Sequence, residues 1–381
     1  MAVDDPTTTL LHLASGNGPI TRRILSTPLR DASPTEIPII DLSALSNASS
    51  SSTLSDRQHI AAQIRTAATT NGFFYITNHG VSSSLIAAAH SASLDFFRQD
   101  ASLKEPANTV HSTVNKHIVG WKPPRSQKIN PFEGEDKRES FSLRYDPSYD
   151  PDAPLPIPEK IREGIKVDSD GFPFSRTDGT VPQLKRTLVP LHQAVLGLGR
   201  KLVRCFALAL DLEEDGFDAK FTYPDASLAV NYYPPLEEKK KNELDDKENV
   251  SIGSHTDFQL FTILWQDGSG GLEVLTRQGQ WLRAPPVEGT FVVNFADYMQ
   301  RITNEKWVST VHRVRNVSGR ERISIPFFFG FNLDESCGTL ESCLEEGEER
   351  KYEEISCREW VERRIRTMNC LKGDGGGDVT K

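Results

Sequence analysis

The sequence predicts a mixed α+β protein, with helices gathered in the first half and a barrel or two-sheet sandwich in the second. Two observations carry this. From about Val181 to Leu210, apolar residues recur at helical spacing (Leu184, Leu188, Leu191, Val195, Leu198, Leu202, Phe206), which marks one long amphipathic helix. From Ser227 to Phe331, short β-branched and aromatic runs alternate with Gly and Asp turns, the rhythm of a closed or double-layered β structure.

The elements follow in order. Residues 1–36 mix Pro, Gly, Ser and Thr with little periodicity and read as an N-terminal extension, on the surface or loosely ordered. Ile37 to Leu42 is a short apolar strand whose early proline suits a sheet edge. The Ser-rich stretch 46–55 is a loop, and Ile60, Ile64 and Ala68 then predict a helix over 56–70. Gly72 to Gly80 reads as a buried strand ending in a turn, and 81–99 as a second amphipathic helix. Residues 100–180 are irregular, with Trp121, Phe132, Phe141 and Tyr145 interspersed. Such aromatic-bearing loops either wall a pocket or pack as satellites under the loop. Beyond the long helix, the mixed-charge run 237–248 is a solvated loop, and 254–267 reads as one strand. Further strands are expected at 271–276, 281–284, 290–295, 309–316 and 322–331, then a helix over 355–368.

The corresponding plan is an extension (1–36), a helix-rich support region (37–225), a β core (226–332), a C-terminal helical segment (333–370) and a flexible tail (371–381). Of the 381 residues, 37% are hydrophobic and 25% charged, which suits a globular fold with a sizeable core. A net charge of −9 with dispersed basic residues argues against a nucleic-acid or anionic-membrane surface. Five cysteines, without a Cys-x-x-Cys pair, read as free thiols in a reducing compartment. There is no signal-peptide pattern and no long apolar run. The expectation is a cytoplasmic enzyme of small molecules, monomeric or weakly homo-oligomeric, with no membrane or nucleic-acid partner.

The chemistry concentrates in the stretch from Ser254 to Asp267. His255 and Asp257 sit two apart, so an extended backbone would send both side chains from one face. A His-x-Asp pair alone arises by chance, and a strand histidine is more often structural. A third group, His312, comes from a later strand. Two histidines and a carboxylate on one side of a metal, with other positions open, is the arrangement of non-haem Fe(II) oxygenases. Period two also places Arg322, Ser324 and Phe328 on one face of the last strand. A guanidinium inside a β structure needs an anion, either a structural carboxylate or a bound one.

Taken together, these pieces resemble the 2-oxoglutarate/Fe(II)-dependent dioxygenases of the isopenicillin N synthase-like superfamily. The resemblance rests on Ile37 to Asp41, Gly72 to Gly80, Asn231 to Pro235, His255 to Asp257, Gly271 to Glu273 with Trp281, Ser309 to Val314, and Arg322 to Ser324. It implies a double-stranded β-helix (jelly roll) core with flanking helices. It further implies His255, Asp257 and His312 as iron ligands, and Arg322, Ser324 and Tyr233 as partners of the 2-oxoglutarate carboxylate, with Asn231 beside the metal. Phe328 matches a position that places an aromatic against substrate, and Arg144 and Tyr145 fall in a segment that borders it. His79 is a structural family feature. Two departures stand out: Ala296 replaces the glycine before Asp297, and Arg144 and Tyr145 stand where relatives often carry a small glycine.

The implied activity couples oxidative decarboxylation of 2-oxoglutarate with O2 to hydroxylation, desaturation or ring formation on a small organic metabolite of specialised metabolism. Ascorbate is expected to help in vitro. The aromatic residues of 100–180, with Phe328, suggest an aromatic or terpenoid-like substrate. The nearest rival is a same-fold Fe(II) oxidase that does not use 2-oxoglutarate. A zinc hydrolase would need a general base that no motif supplies, and a non-catalytic jelly-roll module would leave the triad and Arg322 unexplained.

Overall fold

The computed structural model describes residues 8–45, 53–113, 118–165, 170–235, 250–316 and 318–369. Its first element corrects an expectation. Thr8–Ser15 (β1) and Gly18–Leu25 (β2) form an antiparallel hairpin, and Arg30–Asp31 (β3) joins a sheet further on. Leu11 and Leu13, two apart, share a face and are buried against Leu275, Trp281 and Val311. The extension is therefore a packed element. Its apolar partners lie far along the chain, which is why local composition did not reveal it.

The other core strands are, in order, Ile39–Asp41 (β4), Phe73–Thr77 (β5), Gly120–Lys122 (β6), Glu139–Arg144 (β7), Pro224–Tyr233 (β8), Ile252–His255 (β9), Phe261–Gln266 (β10), Leu272–Leu275 (β11), Trp281–Arg283 (β12), Phe291–Phe295 (β13), His312–Val314 (β14) and Arg322–Asn332 (β15). They form an eight-stranded sheet, β4-β5-β13-β10-β15-β8-β7-β6, and a five-stranded sheet, β3-β12-β11-β14-β9. Within these two sheets, pairing is antiparallel except at β4–β5 and β3–β12. Phe73, Tyr75, Tyr233 and Val292 of the large sheet meet Ile252, Leu272, Val274 and Val314 of the small one. This two-sheet arrangement is the jelly roll, with helices on the outside.

Strand alternation assigns the other face to those helices. Phe74 and Ile76 turn away from Phe73 and Tyr75 and pack with Ile60 and Ile64 of the Leu54–Thr70 helix. That helix starts at a capping box, Thr53 with Asp56. The long helix runs Gln183–Ala209, and Gly199 lets it approach the sheet: a Cβ there would come within 2.7 Å of the Phe329 ring. The irregular region also carries β6 and β7, which extend the large sheet. Trp121 and Phe141 sink into the helix-side core, so these aromatics do not wall the space between the sheets.

The stretch 254–267 is two strands, not one. β9 belongs to the small sheet and β10 to the large one, and the chain crosses between them at Thr256–Leu260. That turn is held by amides at the start of the Asp297–Ile302 helix: Asp297 N–H donates to Asp257 O at 3.0 Å and Tyr298 N–H to Gln259 O at 3.0 Å. At the C-terminus, Ser336–Cys337 and Ile355–Ser356 pair, and the helix begins at Cys357. Its Trp360 donates to Phe258 O at 2.7 Å, against the same turn. The mixed-charge run 237–248, Cys370 and the tail 371–381 lie outside the described residues.

Candidate metal centre

His255 ends β9 and His312 opens β14, and the two are direct cross-strand partners. Their rings lie 4.3 Å apart, and Asp257 Oδ1 is 3.7 Å from His255 Nε2 and 3.8 Å from His312 Nε2. One ligand atom from each residue thus lies within 4.8 Å of the others. The convergence arises from pairing of two strands plus a sheet-crossing turn, not from alternation along one strand.

Each ligand is oriented from behind. His255 Nδ1 lies 2.8 Å from Gly253 O and His312 Nδ1 lies 3.1 Å from Thr310 O. A proton on Nδ1 satisfies those carbonyls and leaves Nε2 as a lone pair facing the centre. Asp257 Oδ2 accepts from Thr262 Oγ1 at 2.6 Å and from Asn294 Nδ2 at 2.8 Å, so Oδ1 remains for the centre. Burial, reinforced by the neighbouring His312, drives the His255 imidazole toward its neutral form. Burial would raise the Asp257 carboxyl, but its interactions with the two histidines and the hydrogen bonds from Asn294 and Thr262 outweigh it and hold the carboxyl below its usual value. An imidazole nitrogen from each histidine and one carboxylate oxygen form the donor set that suits a divalent first-row ion such as Fe(II).

Arg322 starts β15 with none of its surface exposed. Nε donates to Gly270 O at 2.5 Å and Nη2 to Gln266 Oε1 at 3.2 Å, while Nη1 has no partner. The guanidinium carbon lies 4.7 Å from the Tyr233 ring centre, and Tyr233 OH is 3.3 Å from Ser324 Oγ. Arg322 hydrogen-bonds to carbonyl oxygens only, so a buried cation keeps a free donor beside two hydroxyls. That arrangement fits an incoming carboxylate.

The remaining expected residues divide. Asn231 pairs with Ser324 across β8 and β15, and its Oδ1 accepts from Arg138. Phe328 pairs with Thr262, the residue that holds Asp257. Arg144, opposite Ser227, forms an ion pair with Asp225 at 3.1 Å. Tyr145 is not brought to this group: it is buried in the helix-side core, and its hydroxyl donates to Asp150 at 2.7 Å. The sequence did not single out Thr262, Asn294, Gln266 or Arg138. Asp297, beyond the Ala296 departure, does touch the site, through its amide to Asp257 and its carboxylate to Ser309 and Thr256.

The chain has clear relatives. Residues 224–331 match the 2OG-Fe(II) oxygenase superfamily and residues 37–161 the family described as non-haem dioxygenase in morphine synthesis N-terminal. It is 51% identical to the 2-oxoglutarate-Fe(II) type oxidoreductase ppzC of Metarhizium majus, over 97% of each chain. It is 33% identical to the 2-oxoglutarate-Fe(II) type oxidoreductase hxnY of Emericella nidulans, over 86% of this chain and 89% of that one. Among solved structures, a 2OG-Fe(II) oxygenase family protein of Caulobacter crescentus superposes with a TM-score of 0.70 at 26% identity, over 87% of this chain and 99% of that chain. The fold is also that of Neurospora crassa T7H in complex with alpha-KG, with a TM-score of 0.69 at 24% identity, over 89% and 99%.

Proposed function

This chain belongs to the 2-oxoglutarate/Fe(II)-dependent oxygenases, and from that premise we propose that it oxidises a C–H bond of a small organic metabolite in specialised metabolism, by hydroxylation, desaturation or ring formation. His255, Asp257 and His312 hold the iron in this reading, and Arg322, Ser324 and Tyr233 hold the far carboxylate of 2-oxoglutarate. One observation carries it: the three ligand atoms lie within 4.8 Å of one another, and the free Nη1 of Arg322 is on the strand that pairs with Tyr233.

When bound, Fe(II) and 2-oxoglutarate supply the oxidation of the C–H bond by O2, with succinate and CO2 as the co-products. The chain supplies the rest. Asn294 and Thr262 fix which Asp257 oxygen meets the metal. Gly253 and Thr310 carbonyls fix both imidazoles. Arg322 and Tyr233 set the direction of the cosubstrate, which leaves the Phe328 side for substrate.

The test is stoichiometric. With Fe(II) and O2, one succinate should form per product, and the product should gain one oxygen or lose two hydrogens by mass spectrometry. Product without succinate would identify the oxidase that does not use 2-oxoglutarate.

A further inference from the structure

The turn that carries Asp257 belongs to neither sheet. β9 ends at His255 and β10 begins at Phe261, so the carbonyls of residues 256–259 must find partners elsewhere. They find them in two helices. Asp257 O and Gln259 O accept from the amides of Asp297 and Tyr298. Thr256 O and Phe258 O accept from side chains of the C-terminal helix, Arg364 Nη2 at 3.4 Å and Trp360 Nε1 at 2.7 Å. Those two residues are four apart on the Cys357–Asn369 helix and so share a face.

Arg364 does more than cap one carbonyl. It is buried, and its guanidinium carbon lies 4.2 Å from the Phe258 ring centre. Nη2 also lies 3.4 Å from Asp297 Oδ2. Asp297 in turn accepts from Thr256 Oγ1 at 3.1 Å and from Ser309 Oγ at 2.7 Å. Ser309 adjoins Thr310, whose carbonyl orients His312. One guanidinium thus contacts the residues on both sides of Asp257 and, through Asp297, the segment that leads to His312. The N-terminal hairpin holds it from behind. Nη1 donates to Ala14 O at 3.1 Å, and a Cβ on Gly16 would come within 2.8 Å of Arg364 Cδ. Removing the guanidinium would leave Thr256 O without its donor and the buried Asp297 carboxylate without its counter-ion. The turn between them would then be free to shift.

We propose that Arg364 is a positioning residue for the metal centre: from the C-terminal helix it fixes the turn that presents the Asp257 carboxylate to the two imidazoles. The proposal rests on the reading of His255, Asp257 and His312 as metal ligands. It gives the C-terminal helix and the N-terminal hairpin a part in the site beyond packing.

The test uses the full chain, with Mn(II) followed by calorimetry and Co(II) by absorption spectroscopy. Arg364→Met should weaken Mn(II) binding about tenfold or more, as when the hydrogen bonds that support a ligand are lost. Its Co(II) bands should differ from those of wild type, because a displaced carboxylate alters the ligand field. Arg364→Lys, which keeps a charge beside Asp297, should recover part of the affinity. Ile60→Ala, a cavity in the helix-side core, controls for general loss of stability and should keep wild-type affinity and bands. The proposal is overturned if R364M matches wild type in both measurements, if I60A changes them as R364M does, or if R364K binds no better than R364M. Should R364M fail to fold, R364K decides: weaker binding with shifted bands supports the proposal, and wild-type values overturn it. Failure of the wild-type protein to bind either ion would instead sink the metal-centre reading.

Discussion

Asn294 donates its side-chain amide to Asp257 Oδ2 at 2.8 Å, from the strand that flanks β10, and so decides which carboxylate oxygen is left for a metal. Thr262 holds the same oxygen at 2.6 Å. Neither residue touches the centre itself, and both are buried. Removing such outer hydrogen bonds commonly weakens metal affinity by roughly 10- to 100-fold. Asn294→Ala and Thr262→Val should each show a loss in that range by calorimetry with Mn(II), with the circular dichroism spectrum preserved. Unchanged affinity in both would mean that Asp257 is oriented by the turn alone.

Metal should stabilise the fold, since the three ligands come from β9, the sheet-crossing turn and β14. Saturation at 100 times the dissociation constant adds about 2.7 kcal/mol. Mn(II) should therefore raise the melting temperature of wild type and leave that of His312→Ala where it was. Chelator should reverse the rise.

Arg322 allows a prediction with two opposite signs. Without cosubstrate it is a fully buried cation with one donor unpaired. Replacing such a group by an apolar side chain of similar volume is often neutral or stabilising. Arg322→Met should thus melt no lower than wild type. Its 2-oxoglutarate affinity should fall steeply, since losing one partner of a buried charge pair costs about 2–5 kcal/mol. A melting temperature well below that of wild type would show that the bonds to Gly270 and Gln266 matter more than the uncompensated charge.

His192 sits in the long helix, fully buried against Phe327, with neither ring nitrogen hydrogen-bonded. Burial lowers its pKa from 6.5 to about 4, and Asp150 offsets this only partly. As pH falls, the unfolded chain takes up this proton before the folded one does. The contribution is therefore full above pH 6.5 and declines until pH reaches about 4. The slope is at most about 1.4 kcal/mol per pH unit. His192→Leu should flatten the acid side of the stability profile, measured by urea unfolding between these limits. Parallel profiles for variant and wild type would show that His192 does not contribute.

The N-terminal hairpin should matter to stability. Leu13 is buried with Leu275 and Trp281, so Leu13→Ala should cost about 2–5 kcal/mol, read as a lower urea midpoint. A surface-exposed control on the same strand, Leu10→Ala, should cost much less.

Much of the site was legible before any coordinates. His255, Asp257 and His312 converge, and Arg322, Ser324, Tyr233 and Asn231 meet across β8 and β15, each from a recognisable local pattern. The relation of His255 to Asp257 is less local. Alternation along one strand would put them on a common face, whereas the chain changes sheets between them, held by amides of the Asp297–Ile302 helix. Tyr145 shows the opposite failure. It follows Arg144 directly, so alternation sends it to the helix side, where Asp150 takes its hydroxyl.

By itself, the sequence pointed to helices followed by a two-sheet β core, to His255, Asp257 and His312 as candidate ligands and to Arg322 as a candidate carboxylate partner, because periodicity and donor chemistry are local properties. Tertiary structure alone decided that residues 8–25 are a packed hairpin, that Asn294 and Thr262 govern Asp257, and that Arg322 keeps a buried donor without a partner. Those outcomes depend on which distant side chains fill the space around each group. Burial and charge compensation belong to the assembled fold, not to any stretch of chain.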